Sequence, residues 1–132
     1  MKVSVVLTVM ALALVSCVSM PGPPKGAVFL GERTVGFKAE RDRIPVGRYE
    51  GRFNSLFFEI ERNNLEMFDM VVIFENGQKE KIGTRLVFDE GTRSRVIALE
   101  GGERRIRAIE FAYKTSGTWL NGKARILVYG VL

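Results

Sequence analysis

The chain has 132 residues and carries 20 Lys and Arg against 15 Asp and Glu, a net charge of +5. At 46% hydrophobic with nine Phe, it can build one buried core without a metal or disulfide staple. It contains no His and one Cys, which removes most general-base and triad schemes, the commonest metal ligand, and any internal disulfide.

Lys2 and the apolar run from Val3 to Ser16 have the anatomy of an export signal peptide. The run is too short to cross roughly 30 Å of hydrocarbon as a helix. Leu14-Val15-Ser16-Cys17 resembles the lipobox of bacterial lipoproteins, where the thiol becomes the thioether that carries a diacylglycerol. Residues 1–16 are therefore expected to be removed and Cys17 to be the lipidated first residue, with two or three acyl chains giving stable anchoring. Val18 follows Cys17 in place of Asp, which by resemblance to enterobacterial lipoproteins favours the outer membrane where the organism has one.

Residues 17–26 hold Pro21, Gly22, Pro23, Pro24 and Gly26 and read as an extended, semi-stiff tether. Residues 27–132 are then a single domain. Loss of Lys2 lowers the net charge by one, leaving a mildly basic surface suited to anionic lipid or glycan. Nucleic acid is not a partner expected of an exported protein.

Beyond the tether no segment has helical period. Strands are predicted at 30–38, 43–47, 53–62 and 66–75, and again at 82–88, 94–99, 105–114 and 122–130. Leu56, Phe58 and Ile60 alternate with Phe57, Glu59 and Glu61, and Ile109, Phe111 and Tyr113 do the same against Ala108, Glu110 and Ala112. Asn76-Gly77 supplies tight-hairpin chemistry between the fourth and fifth runs.

The two sets of four strands are also similar to each other. Shifted by 52 residues, Leu30-Gly31 falls on Ile82-Gly83, Arg33 on Arg85, Arg41 on Arg93 and Arg43 on Arg95. Shifted by 53, Ile44 falls on Ile97, Phe53 on Ile106, Phe58 on Phe111, Val71 on Ala124 and Ile73 on Ile126. In both copies the alternation slips by one residue, between Phe53 and Leu56 and between Ile106 and Ile109, which predicts a β-bulge. The expected fold is all-β: an antiparallel sandwich of about eight strands from two tandem repeats, about 30–77 and 82–130. A closed β-barrel is the alternative.

The chain resembles a family of small secreted bacterial proteins defined by a domain of unknown function. Val46-Gly47-Arg48 through Gly51-x-Phe53, Phe74-Glu75-Asn76-Gly77, Ser94-Arg95-Val96-Ile97 through Gly101-Gly102, and Arg105-Ile106 through Tyr113 carry the resemblance. It implies an envelope or secreted β-domain and brings no catalytic residues or cofactor.

Three groups of residues are candidates for function. Arg93 and Arg95 in one strand and Arg104, Arg105 and Arg107 in the next would form a basic strip if those strands were neighbours, able to fork onto phosphate or carboxylate. The alternative is a solvated face with each Arg paired to a nearby Glu, or one Arg per repeat bracing a turn carbonyl or the other repeat's carboxylate. Tyr49 and Trp119, the latter beside Asn121, sit in turn-rich segments; they either stack on sugar rings or plug the open end of the sandwich. Asp42 and Asp69 could serve as a carboxylate pair only if the fold brought them together; turn and bulge roles are expected instead. No Gly-x-Ser-x-Gly elbow, phosphate loop or acidic metal loop is present.

The expected function is a lipid-anchored, non-enzymatic envelope domain with a binding or structural role. Its partners would be the membrane, through the lipid, and an anionic envelope polymer, a glycan or another envelope protein. A carbohydrate-binding module is the first alternative and a carboxylate-based, glycan-active enzyme the second.

Overall fold

Residues 22–47, 50–83 and 86–132 are described by a computed structural model. The expected signal peptide and Cys17 lie outside the described residues, as do Arg48, Tyr49, Thr84 and Arg85. The strands are β1 (Ala27–Val35), β2 (Glu40–Pro45), β3 (Ser55–Glu61), β4 (Leu65–Phe74), β5 (Lys79–Ile82), β6 (Leu86–Phe88), β7 (Thr92–Arg93), β8 (Ile97–Ala98), β9 (Ile106–Thr115) and β10 (Ala124–Val131). A 3-10 turn, Trp119–Asn121, precedes β10.

Two antiparallel sheets result. Sheet A runs β1-β10-β3-β7, with β8 also on β3, and sheet B runs β2-β9-β4-β5, with β6 also on β4. Neither closes into a barrel. Where strands 82–88 and 94–99 are predicted, the sheet edges carry short broken pairs, β5 and β6 in sheet B and β7 and β8 in sheet A. β7 lies just before residue 94, and one extra residue goes unpaired in each edge. Across each break the register against the neighbour shifts by one: Glu59↔Arg93 gives way to Leu56↔Ile97, and Met70↔Ile82 to Met67↔Leu86.

The pairing registers carry the internal repeat. Arg41 lies opposite Ala112 in sheet B, and their shifted counterparts Arg93 and Glu59 lie opposite each other in sheet A. Ile44↔Ile109 and Ile97↔Leu56 are related in the same way. The repeats are interleaved: sheet A takes β1 and β3 from the first and β7, β8 and β10 from the second, while sheet B takes the complement.

The sequence alignment departs from the structure at the last strand. Met70 lies opposite Phe111 and Val128 opposite Phe58, so Met70 corresponds to Val128, an offset of 58 and not 53. The cause is the β9–β10 connection: Lys114 and Arg125 are eleven residues apart where their counterparts Glu61 and Glu66 are five apart, and the bulge at Phe68 takes one of the six extra residues back. An odd slip exchanges the two faces of a strand, but Met70 to Phe74 and Ile126 to Tyr129 are apolar at every position, so the slip is silent in the sequence.

Leu56, Phe58 and Ile60 of β3 and Ala124, Ile126 and Val128 of β10 face Ile109, Phe111 and Tyr113 of β9 across a fully buried core. Gly130 is required on β10, because a Cβ there would lie 2.5 Å from Cδ1 of the Phe53 ring. The bulge expected in the second copy is present: Ile73 pairs with Ala108 and Phe74 with Ile106, leaving Arg107 as the extra residue. In the first copy Phe53 instead stands before β3, in an isolated bridge to Arg104. The Asn76-Gly77 hairpin has three connecting residues, since Phe74 N–H donates to the Gln78 carbonyl, and Gly77 takes a positive φ of 88°.

On the outer face of sheet A, Phe29, Tyr129 and Phe57 form one row across β1, β10 and β3, with rings 5.5 and 4.9 Å apart. The segment before β1 is held near this face. Leu132 N–H donates to the Gly26 carbonyl at 3.1 Å, and Arg93 Nη1 donates to the Gly22 carbonyl at 3.2 Å.

Candidate functional site

The long β9–β10 connection is pinned at its base. Thr115, the last residue of β9, donates its hydroxyl to the Val35 carbonyl at 2.7 Å and accepts the Ala124 N–H at 2.9 Å. Asn63, from the short equivalent connection, is buried at 2% exposure. Its Nδ2 donates to the carbonyls of Thr118 and Gly122 at 2.8 and 2.7 Å, spanning the 3-10 turn from outside. Within the turn, Gly122 N–H donates to the Trp119 carbonyl at 3.1 Å.

What this scaffold presents is apolar. Trp119 is 76% and Leu120 74% exposed, so Trp119 does not plug the sandwich as one reading of the sequence expected. Its polar neighbours Thr118 and Asn121 are also exposed.

The basic strip is not assembled. Arg93 lies on the edge of sheet A, whereas Arg105 and Arg107 lie at the start of β9 in sheet B, and β7 and β9 do not pair. Arg93 is half-buried and grips Glu59 through Nε and Nη2 at 2.9 and 2.8 Å. Arg107 donates to the Glu75 carbonyl at 2.7 Å, and Arg105 accepts the Glu75 N–H on its own carbonyl at 3.0 Å. Arg43 meets Glu110 at 3.3 Å, so Arg43 and Arg93 each reach a carboxylate of the other repeat. Arg104 lies 3.8 Å over the Phe74 ring and donates to Gln78 at 2.8 Å, a structural role that its sequence neighbours did not signal.

The two aspartates are also kept apart. Asp42 sits inside β2, not in a turn, opposite Phe111. There it accepts the Tyr113 hydroxyl at 2.9 Å. Burial, reinforced by that hydrogen bond, holds the Tyr113 phenol well above its ordinary pKa. Asp69 follows the bulge at Phe68 and lies opposite Ala112, on the other face of sheet B from Asp42. Arg41 and Lys81 each stand 4.0 Å from it. Among the described residues no group of three metal-ligating side chains converges, and no helix is long and apolar enough to cross a membrane.

Two clefts occupy equivalent places at opposite edges of the sandwich. One, of about 260 Å³, is lined by Arg41, Asp42, Arg43, Glu110 and Phe111. The other, of about 210 Å³, is lined by Phe58, Leu86, Phe88 and Ile97 together with Arg93, Ser94 and Arg95. The repeat has thus produced one polar and one largely apolar version of the same feature.

Residues 4–130 match the family described as a domain of unknown function, DUF2541. The chain belongs to the DUF2541 family. No curated protein matches it. Among solved structures, AlgX of Pseudomonas aeruginosa is similar at 14% identity and a TM-score of 0.43, over 80% of this chain and 26% of AlgX. The DUF2541 chain therefore spans about a quarter of that protein's length.

Proposed function

We propose that this DUF2541 protein is a non-catalytic binding domain, held at the cell envelope by lipid on Cys17, that meets its partner through Trp119 and Leu120. The observation that carries the reading is the exposed apolar pair on a loop fixed by a buried Asn63. Large apolar side chains held rigidly in water are the usual anchors of an interface. The tip also stands at the far end of sheet A from the chain's entry, since β1 runs from Ala27 to Val35 and Val35 lies opposite Ala124. A domain tethered at its N-terminus would present this tip away from its anchor.

Two experiments test the two halves of the reading. A Cys17→Ala variant should lose incorporation of labelled fatty acid in cells, and unchanged labelling would remove the anchor. A photo-crosslinking residue at position 120 should capture a partner that the same residue at exposed Lys79, at the other end of the sandwich, does not; equal patterns from both positions would remove the tip.

A glycan partner is the second reading, favoured by Thr118 and Asn121 beside the exposed indole. Sugar rings stack on such a face while the polar neighbours take their hydroxyls. A neutral polysaccharide that raises Tm for the parent chain but not for Trp119→Ala would select it.

A further inference from the structure

The apolar cleft at the β6 edge has no part in the tip reading, and it has the features of a second binding site. We propose that it takes an extended peptide, added as a strand beside β6, with an apolar side chain in the cleft and an acidic one against Arg95.

The edge itself is the first argument. β6 is outermost in sheet B beside β4, and Leu86 and Val87 are 56% and 61% exposed. Exposed sheet edges are usually blunted by charge or proline, because unpaired backbone groups beside apolar side chains recruit another strand. Here the edge segment is Leu86-Val87-Phe88, with Val96 half-exposed on β8's approach. Strand addition to such an edge uses main-chain hydrogen bonds for affinity and side-chain pockets for selectivity.

The size of the cleft is the second argument. At about 210 Å³ it is below the roughly 300–1,000 Å³ of pockets that enclose drug-sized ligands. Its floor is built by Phe58 and Phe88, edge-to-face at 4.9 Å, with Ile97 beside them. One or two aliphatic side chains fit such a slot.

Charge is the third argument. In the equivalent polar cleft, Asp42 stands between Arg41 and Arg43. Its counterpart is Ser94, so the carboxylate is missing from the apolar cleft. The Ser94 hydroxyl is already engaged, accepting the Phe58 N–H and donating to the Arg95 carbonyl, both at 2.9 Å. Arg93 is engaged with Glu59. Arg95 is exposed, and no side-chain hydrogen bond or ion pair holds it among the described residues. An incoming carboxylate would restore the charge pattern of the other repeat. A second copy of this chain would instead bring Arg95 toward another basic edge, which opposes self-pairing.

The test uses the full-length chain purified in detergent, with two fluorescein-labelled nonapeptides. One alternates valine with aspartate and the other valine with lysine. The acidic peptide should bind and slow amide hydrogen exchange at residues 86–88. Arg95→Glu should weaken it about tenfold or more and admit the lysine peptide, whereas Trp119→Ala should leave it unchanged. Both substituted positions are exposed, so Tm should hold in each variant. Failure to bind at about 1 mM, equal binding of both peptides, or binding without slowed exchange at 86–88 would overturn the proposal. Concentration-dependent dimers abolished by Val87→Lys would overturn it too, by assigning the edge to self-association. Because Trp119 serves as the control, failure here is distinguishable from failure of the tip reading.

Discussion

The side-chain amide of Asn63 lies 2.7 Å from the carbonyl of Gly122, and it joins the shortest connection of one repeat to the longest of the other. Removing it strands two carbonyls, those of Thr118 and Gly122, against a buried hole. Asn63→Ala should therefore cost about 2–3 kcal/mol. Urea denaturation checks the stability. Fluorescence anisotropy of the sole Trp checks the loop, and Trp119 should become more mobile in the variant.

Trp119 should contribute nothing to folding that matches its size. At 76% exposure, Trp119→Ala should change stability by less than about 0.5 kcal/mol. For the same reason its emission maximum should move little when the parent chain unfolds. A large blue shift on folding would show that the indole is covered.

Gly130 is the opposite case, a residue with no side chain on which the core depends. A methyl group there would meet the Phe53 ring at 2.5 Å, and overpacking of this kind costs about 1–3 kcal/mol. Gly130→Ala should lower Tm accordingly. Pairing it with Phe53→Leu should recover part of the loss, because the ring that obstructs the methyl is then gone.

Stability should fall on the alkaline side. Burial and the Asp42 hydrogen bond hold the Tyr113 phenol well above its ordinary value, and burial raises Tyr129 in the same direction. Below about pH 10, the unperturbed tyrosine pKa, both phenols are neutral in folded and unfolded chains alike and add no pH dependence. Above it the unfolded chain loses those protons first, so the folded state binds more protons and unfolding is favoured as pH rises. Denaturation midpoints measured from pH 8 to 11 should decline at the upper end, and Tyr113→Phe should flatten the decline.

Much of the fold was legible because β-strands record their faces in the sequence. Leu56, Phe58 and Ile60 alternate with Phe57, Glu59 and Glu61 on the outer face, and the same spacing at Ile109, Phe111 and Tyr113 marks the second repeat. The pairing Arg93↔Glu59 follows from Arg41↔Ala112 by the same shift. The insertion before β10 was not legible, since β4 and β10 are apolar on both faces and a slip by an odd number of residues still sets apolar on apolar. The sites were less accessible still. Trp119 sits on a loop held by Asn63, far away in sequence, and the two clefts differ by the exchange of Asp42 for Ser94 and by Leu86 and Phe88, which line only one of them.

The interleaved topology also sets a timetable. β10, the last of the ten strands in chain order, is the one that separates β1 from β3 in sheet A. β1 has no strand to pair with until β10 is made, and β2 must wait for β9, whereas β3 finds β7 and β8 and β4 finds β5 and β6 earlier in the chain. Closing such distant pairs costs loop entropy before any contact repays it, so the β1–β10 and β2–β9 pairings form late. The first two strands thus lie idle while the middle of the chain pairs, and each sheet is completed by a strand from the far end of the sequence.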